Sequence, residues 1–168
     1  ATPPKGLPIF RYLIPLAATV LTTAMTVTVS AVAESARLTL LHVNDVYQIS
    51  PQHAVGGLAQ LMTLLKRERE RAEHHLTTLG GDLISPSVMS GLTEGAQMVA
   101  LMNAIRLDFA GFGNHEFDFG DGALTDRIAE SKFTWLATNT LGADGAPFGG
   151  AEASVMREFG EPSKSASS

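Results

Sequence analysis

The chain has 168 residues, 45% apolar and 17% charged, a make-up that fits a folded globular chain and excludes a disordered one. Its net charge of −5 gives no support to non-specific nucleic-acid binding, which favours a basic stripe, so no nucleic-acid partner is expected. With no cysteine, neither a disulfide nor a cysteine-ligated zinc site can form.

Lys5 and Arg11 precede an uncharged stretch at residues 12–33 that ends in the small-x-small tripeptide AVA. A basic start, an apolar centre and such an ending predict a secretory signal peptide cleaved before Glu34. A membrane anchor is the alternative, because the run approaches the ~20 residues that cross a bilayer. Either way the remainder is expected outside the cytoplasm, periplasmic or extracellular.

The segment RLTLLHVND, residues 37–45, predicts a buried strand that delivers Asn44 and Asp45 to its end. After Pro51 and Gly56-Gly57, the spacing of Leu58, Leu61, Met62 and Leu65 predicts a helix with one apolar face. Its second half carries mixed charges that predict a solvated surface and runs on to His74 and His75 at the helix end. LTTLGGD follows as a second strand ending at Asp82. TEGAQMVALMNAI predicts a helix that buries Met98, Met102 and Ile105, and LDFAGFGNHE a third strand with its exit loop. DGALTDRIAES predicts another helix, FTWLATNT a fourth strand ending at Asn139, and residues 151–168 a polar tail whose end, EPSKSASS, is expected to be disordered.

Alternating strands and helices imply an α/β fold with a parallel sheet and right-handed crossovers. In such sheets ligands bind beyond the carboxyl ends of the strands. Asp45, Asp82, Asn114 and His115 all fall at that end, brought there by three separate segments. Two carboxylates, an amide oxygen and an imidazole suit hard-to-borderline divalent metals. Glycines at 80–81 and 111–113 are expected to let the backbone turn sharply beside the ion.

Three motifs in order, LLHVNDVYQI, GGDLISPS and GFGNHEFDFG, with ESKFTWLATNT behind them, resemble the calcineurin-like metallophosphoesterases. The likeness is to the bacterial 5'-nucleotidase branch and runs from about residue 38 to 139. It implies a partial α/β/β/α sandwich, with residues 34–150 forming the N-terminal part of its catalytic domain. It also implies two divalent metal ions, zinc, manganese or similar, and a small-molecule phosphoester of nucleotide type as substrate. By position, Asp45 would bind the first metal, Asp82 would bridge both, and Asn114 would bind the second. His115 would meet the charge developing on the phosphoryl group or leaving oxygen, oriented by Asp118 three residues on. Glu116 is expected in a local hydrogen-bonding role around the site. No protein partner is implied.

Two departures accompany the likeness. Where the family motif reads Asp-x-His, this chain has Asp45-Val46-Tyr47, and a neutral phenol is a poor metal ligand. The family also places a further histidine and a Gly-His-x-His motif downstream, whereas the five histidines here are His42, His53, His74, His75 and His115, none of them later. The chain is therefore expected to be the front part of a longer enzyme, with an incomplete metal shell, an exposed sheet face and little activity alone. A non-catalytic secreted remnant and a same-fold hydrolase of non-nucleotide esters remain open. His42 is expected to be packed, or to support the site from behind, rather than to be a ligand. His53 lies in a loop with nothing tying it to a metal, and Ser85 and Ser87 fit a phosphate contact and a turn equally well.

Overall fold

The computed structural model describes residues 36–51, 53 and 55–160. The expected signal peptide and residues 161–168 of the expected tail lie outside them. A six-residue run free of Gly, Pro and charge, LTLLHV, forms β1 (Leu38–Val43). The apolar spacing that follows forms α1 (Leu58–Arg71), burying Leu58 and Leu65 with Leu61 and Met62 packed beside them.

At Ala72 the backbone leaves the helix for an extended conformation, and His74 and His75 open β2 (His74–Leu79) instead of ending α1. The reason is the parallel ladder: Leu38 lies opposite His74 and the register holds without a break to Val43 and Leu79. A six-residue ladder outweighs one more helical turn. The short α2 (Val88–Thr93), absent from the sequence expectations, precedes α3 (Ala96–Ile105), β3 (Phe109–Gly111), α4 (Gly120–Glu130) and β4 (Thr134–Leu136). The four strands pair in parallel in the order β1-β2-β3-β4.

The strand side chains on one face, Leu41, Val43, Leu79, Ala110 and Trp135, pack with Leu58 and Leu65 of α1 and Met98, Met102 and Ile105 of α3 into a single core. Ile128 of α4 packs against the same core. The charged half of α1 is not wholly a solvated surface. Arg69 turns inward, donating to Thr77 Oγ1 at 2.6 Å and to the carbonyl of Ile105 at 2.7 Å, and so ties α1 to β2 and to the end of α3.

The opposite face is open over β1, where Leu38 and Leu40 are 45% and 59% exposed. Over β2 and β3 the chain's own later segment crosses it. The Phe159 ring lies 5.2 Å from that of His74, and the Arg157 guanidinium 5.3 Å above Phe109. Among the described residues there is one sheet, so the second sheet of the expected sandwich is not among them. No helix among them is long and apolar enough to cross a membrane.

This asymmetry gives a direct test. Leu40→Asp is expected to change stability by less than about 1 kcal/mol and to reduce light scattering, because the residue leaves water little on folding. Met102→Ala is expected to cost roughly 2–5 kcal/mol in urea unfolding, because it empties the core. Similar losses for the two would contradict the open face.

Candidate active site

Because the sheet is parallel, the exit loops of β1, β2 and β3 leave from the same edge. The β1 and β2 loops stay paired beyond their strands. Gly80 N–H donates to the Val43 carbonyl at 2.8 Å and Asp45 N–H to the Gly81 carbonyl at 3.2 Å, which sets Asp45 beside the Gly81-Asp82 turn. The amide of Asn44 hydrogen-bonds the Asp45 carboxylate. Both Asp45 and Asp82 adopt positive φ, 56° and 59°, a conformation Asp tolerates better than most residues.

The β2 and β3 loops touch backbone to backbone. A Cβ on Gly81 would collide with the Gly113 nitrogen, and one on Gly113 would collide with Asp82 Oδ1. These two glycines therefore serve the approach of one loop to the other. Glu116 then fastens them. Its side chain is buried, at 1% exposure, and its carboxylate accepts three backbone N–H groups: Asp82 at 2.9 Å, Leu83 at 2.7 Å and Gly113 at 2.6 Å. Asp82 Oδ1 in turn accepts the His115 N–H at 3.1 Å. The expected local role of Glu116 thus extends to a residue 33 positions away, a reach that spacing along the chain does not reveal.

Aromatic packing holds the β3 loop from below. Phe112 stacks on the buried Trp135 with ring centroids 4.9 Å apart, and Phe117 meets Phe148 edge-on at 5.4 Å. His115, Glu116 and Phe117 form one 3-10 turn, whose geometry brings His115 Nδ1 to 2.8 Å from Asp118 Oδ2. The expected pair therefore forms. The hydrogen bond to Asp118, aided by the negative charges of Asp118, Asp82 and Glu116, raises the His115 pKa above its ordinary value. The same bond, with a second one from Ser85, lowers that of Asp118.

Other candidates sort as follows. His42 lies on the open face, exposed, with Nδ1 2.8 Å from Thr78 Oγ1, which disfavours the packed one of its two expected roles. Ser87 caps α2, accepting the Ser90 N–H at 3.0 Å, which favours the turn role for that serine. Among the described residues, no group of three or more His, Asp or Glu side chains stands ready to hold a metal ion. The donors at the rim are two carboxylates, Asp45 and Asp82, and the Asn114 amide. Their oxygen chemistry fits a divalent cation as part of a shell, with positions left open.

Comparison with known proteins agrees with this architecture. The family model for calcineurin-like phosphoesterases matches residues 38–159. The chain belongs to that family. It is 31% identical to human 5'-nucleotidase over 115 residues, 61% of this chain and 20% of that protein. It is 32% identical to the snake venom 5'-nucleotidase of Crotalus adamanteus over 122 residues, 66% of this chain and 21% of that protein. The structure of the 5'-nucleotidase precursor from Thermus thermophilus superposes with a TM-score of 0.58 and 30% identity, covering 61% of this chain and 22% of the other. This metallophosphoesterase chain thus spans about a fifth of the length of those relatives. Family membership implies divalent metal cofactors, and the relatives matched over this portion are hydrolases of the 5'-nucleotidase type.

The histidine pair is testable in the metal-free chain. The hydrogen bond to Asp118 stabilises the protonated ring, so the His115 midpoint in an NMR titration is expected above that of a free histidine. The ion pair is present below that raised midpoint and lost as pH climbs through it. Asp118→Asn is expected to lower the midpoint, and an unchanged midpoint would show that Asp118 does not hold the ring.

Proposed function

We propose that this chain carries the front part of a metal-dependent phosphoester hydrolase centre that acts on nucleotide-type esters. The observation that carries the proposal is the locking of three strand-exit loops at one sheet edge, with Asp45, Asp82 and Asn114 on them and the His115–Asp118 pair alongside. Asp45 would hold a first divalent ion, Asp82 would bridge to a second, and Asn114 would hold that second ion. When bound, such ions polarise phosphoryl oxygens and lower the pKa of water.

The chain's own residues would do the rest. Glu116 holds Asp82 and the Asn114 loop in fixed relation, which is the positioning a metal site needs. Protonated His115 presents a positive donor to the charge that builds on the phosphoryl or leaving oxygen, and Asp118 keeps the ring oriented. Tyr47 is not counted in the proposed shell, because a neutral phenol is a poor metal ligand.

The rival is a secreted chain that keeps the half-site without turnover. It draws on the described residues, among which no three-membered ligand group stands ready. Export is part of the proposal in either form, on the strength of Lys5, Arg11 and the uncharged residues 12–33.

Calorimetry on the purified chain with Zn²⁺ or Mn²⁺ tests the proposal. Weak saturable binding is expected, abolished by Asp82→Ala, together with little phosphomonoester turnover. Binding that survives Asp82→Ala unchanged would overturn the site. Rapid metal-dependent turnover lost in Asp82→Ala would overturn the incompleteness of the shell.

A further inference from the structure

The stretch from Asp82 to Ser85 leaves β2 and meets the turn after β3 at a series of points. Glu116 accepts the N–H groups of Asp82 and Leu83, and Asp82 Oδ1 accepts that of His115. Ser85 continues the series with its side chain, its hydroxyl donating to the Asp118 carboxylate. The serine is firmly seated. It is buried, at 5% exposure, and it follows Leu83 and Ile84, which are sealed in the interior. A Cβ on Gly95 would collide with the Ile84 side chain, so the start of α3 closes directly over this stretch. Of the two serines in GGDLISPS, Ser87 caps α2, whereas Ser85 turns to Asp118.

Asp118 needs such a support. Its carboxylate and the His115 ring both stand partly in water, with Nδ1 2.8 Å from Oδ2. A pair so exposed gains little by itself, because both side chains give up rotamer freedom and water competes for each partner. A bond from a buried hydroxyl orders the carboxylate beforehand, so less freedom is lost when the ring joins it. With Nδ1 engaged, Nε2 is the ring nitrogen left for a ligand.

We infer that Ser85 is a positioning residue of the candidate site: through Asp118 it fixes the orientation of the His115 ring. The inference rests on the reading of His115 as the group that meets the phosphoryl or leaving oxygen, since orientation decides where Nε2 reaches.

NMR on the whole metal-free chain, with the ring protonated in every variant, tests it. In Ser85→Ala the His115 Nδ1–H should exchange with water about threefold or more faster, as loss of one supporting hydrogen bond implies. The three-bond couplings that report χ1 of His115 should move toward the rotamer average. Ser85→Cys, near in size and a weak donor, should release the ring likewise. The amides of Asp82, Leu83 and Gly113 should keep their protection in both variants, because Glu116 still ties the loops. In an Asp118→Ala background, Ser85→Ala should change the ring no further. Native exchange and couplings in Ser85→Ala and Ser85→Cys overturn the inference. So does a further loosening of the ring in the Asp118→Ala background, which would show a route that bypasses Asp118. Lost protection at the three amides overturns it too, since the serine would then hold the loops and not the ring. These readouts need neither metal nor substrate, so the calorimetric test of the metal site and this one fail separately.

Discussion

A buried carboxylate that accepts three backbone N–H groups from two different loops is the constraint on which the candidate site depends. Glu116 is almost fully removed from water, and a carboxylate so placed is costly unless its oxygens are satisfied. The N–H groups of Asp82, Leu83 and Gly113 satisfy it. The same bonds supply partners to donors at sharp turns that no strand or helix could serve. Take that carboxylate away and the β2 and β3 loops lose the acceptor they share. The relation of Asp82 to Asn114 then rests on weaker ties, such as the bond from the His115 N–H to Asp82 Oδ1.

The rest of the rim is arranged around that clamp. Side chains at Gly81 and Gly113 would drive the two loops apart, and the stacked Phe112 and Trp135 hold the β3 loop against the core. The paired backbones of the β1 and β2 loops add Asp45 to the same edge. Helices cover only one face of the sheet among the described residues, so the rigidity behind the site comes from that side. The other face, with Leu38 and Leu40 in solvent, contributes no packing over β1 among those residues.

Much of this was legible in the sequence. Apolar spacing located α1 and α3, strand-forming runs located the four strands, and their alternation gave the parallel sheet and the shared edge for Asp45, Asp82, Asn114 and His115. The three-residue spacing of His115 and Asp118 allowed the hydrogen bond that the family resemblance implied. What was not legible depends on distant partners. His74 and His75 look like the end of a charged helix until β1 offers them a ladder. Arg69 looks like one more solvated charge until Thr77 and Ile105 face it. The six residues of α2 are too few for a helical period, and their apolar members point to solvent, which removes the usual signal. Glu116 showed its neighbourhood but not its role as a clamp, because its partners Asp82 and Leu83 come from another strand's exit.

Under the proposed function this clamp would have a purpose, since two loops that were to share metal ions would need a tie that is not itself a ligand. Amide hydrogen exchange in the metal-free chain measures that tie most directly. In the native chain the amides of Asp82, Leu83 and Gly113 should exchange slowly and as a group. In Glu116→Gln, where one acceptor oxygen becomes an NH₂ that faces donors, their protection should fall by about tenfold or more, as losing a satisfied charged hydrogen bond implies, while amides of α3 keep theirs. Protection unchanged at those three amides in Glu116→Gln would contradict the clamp.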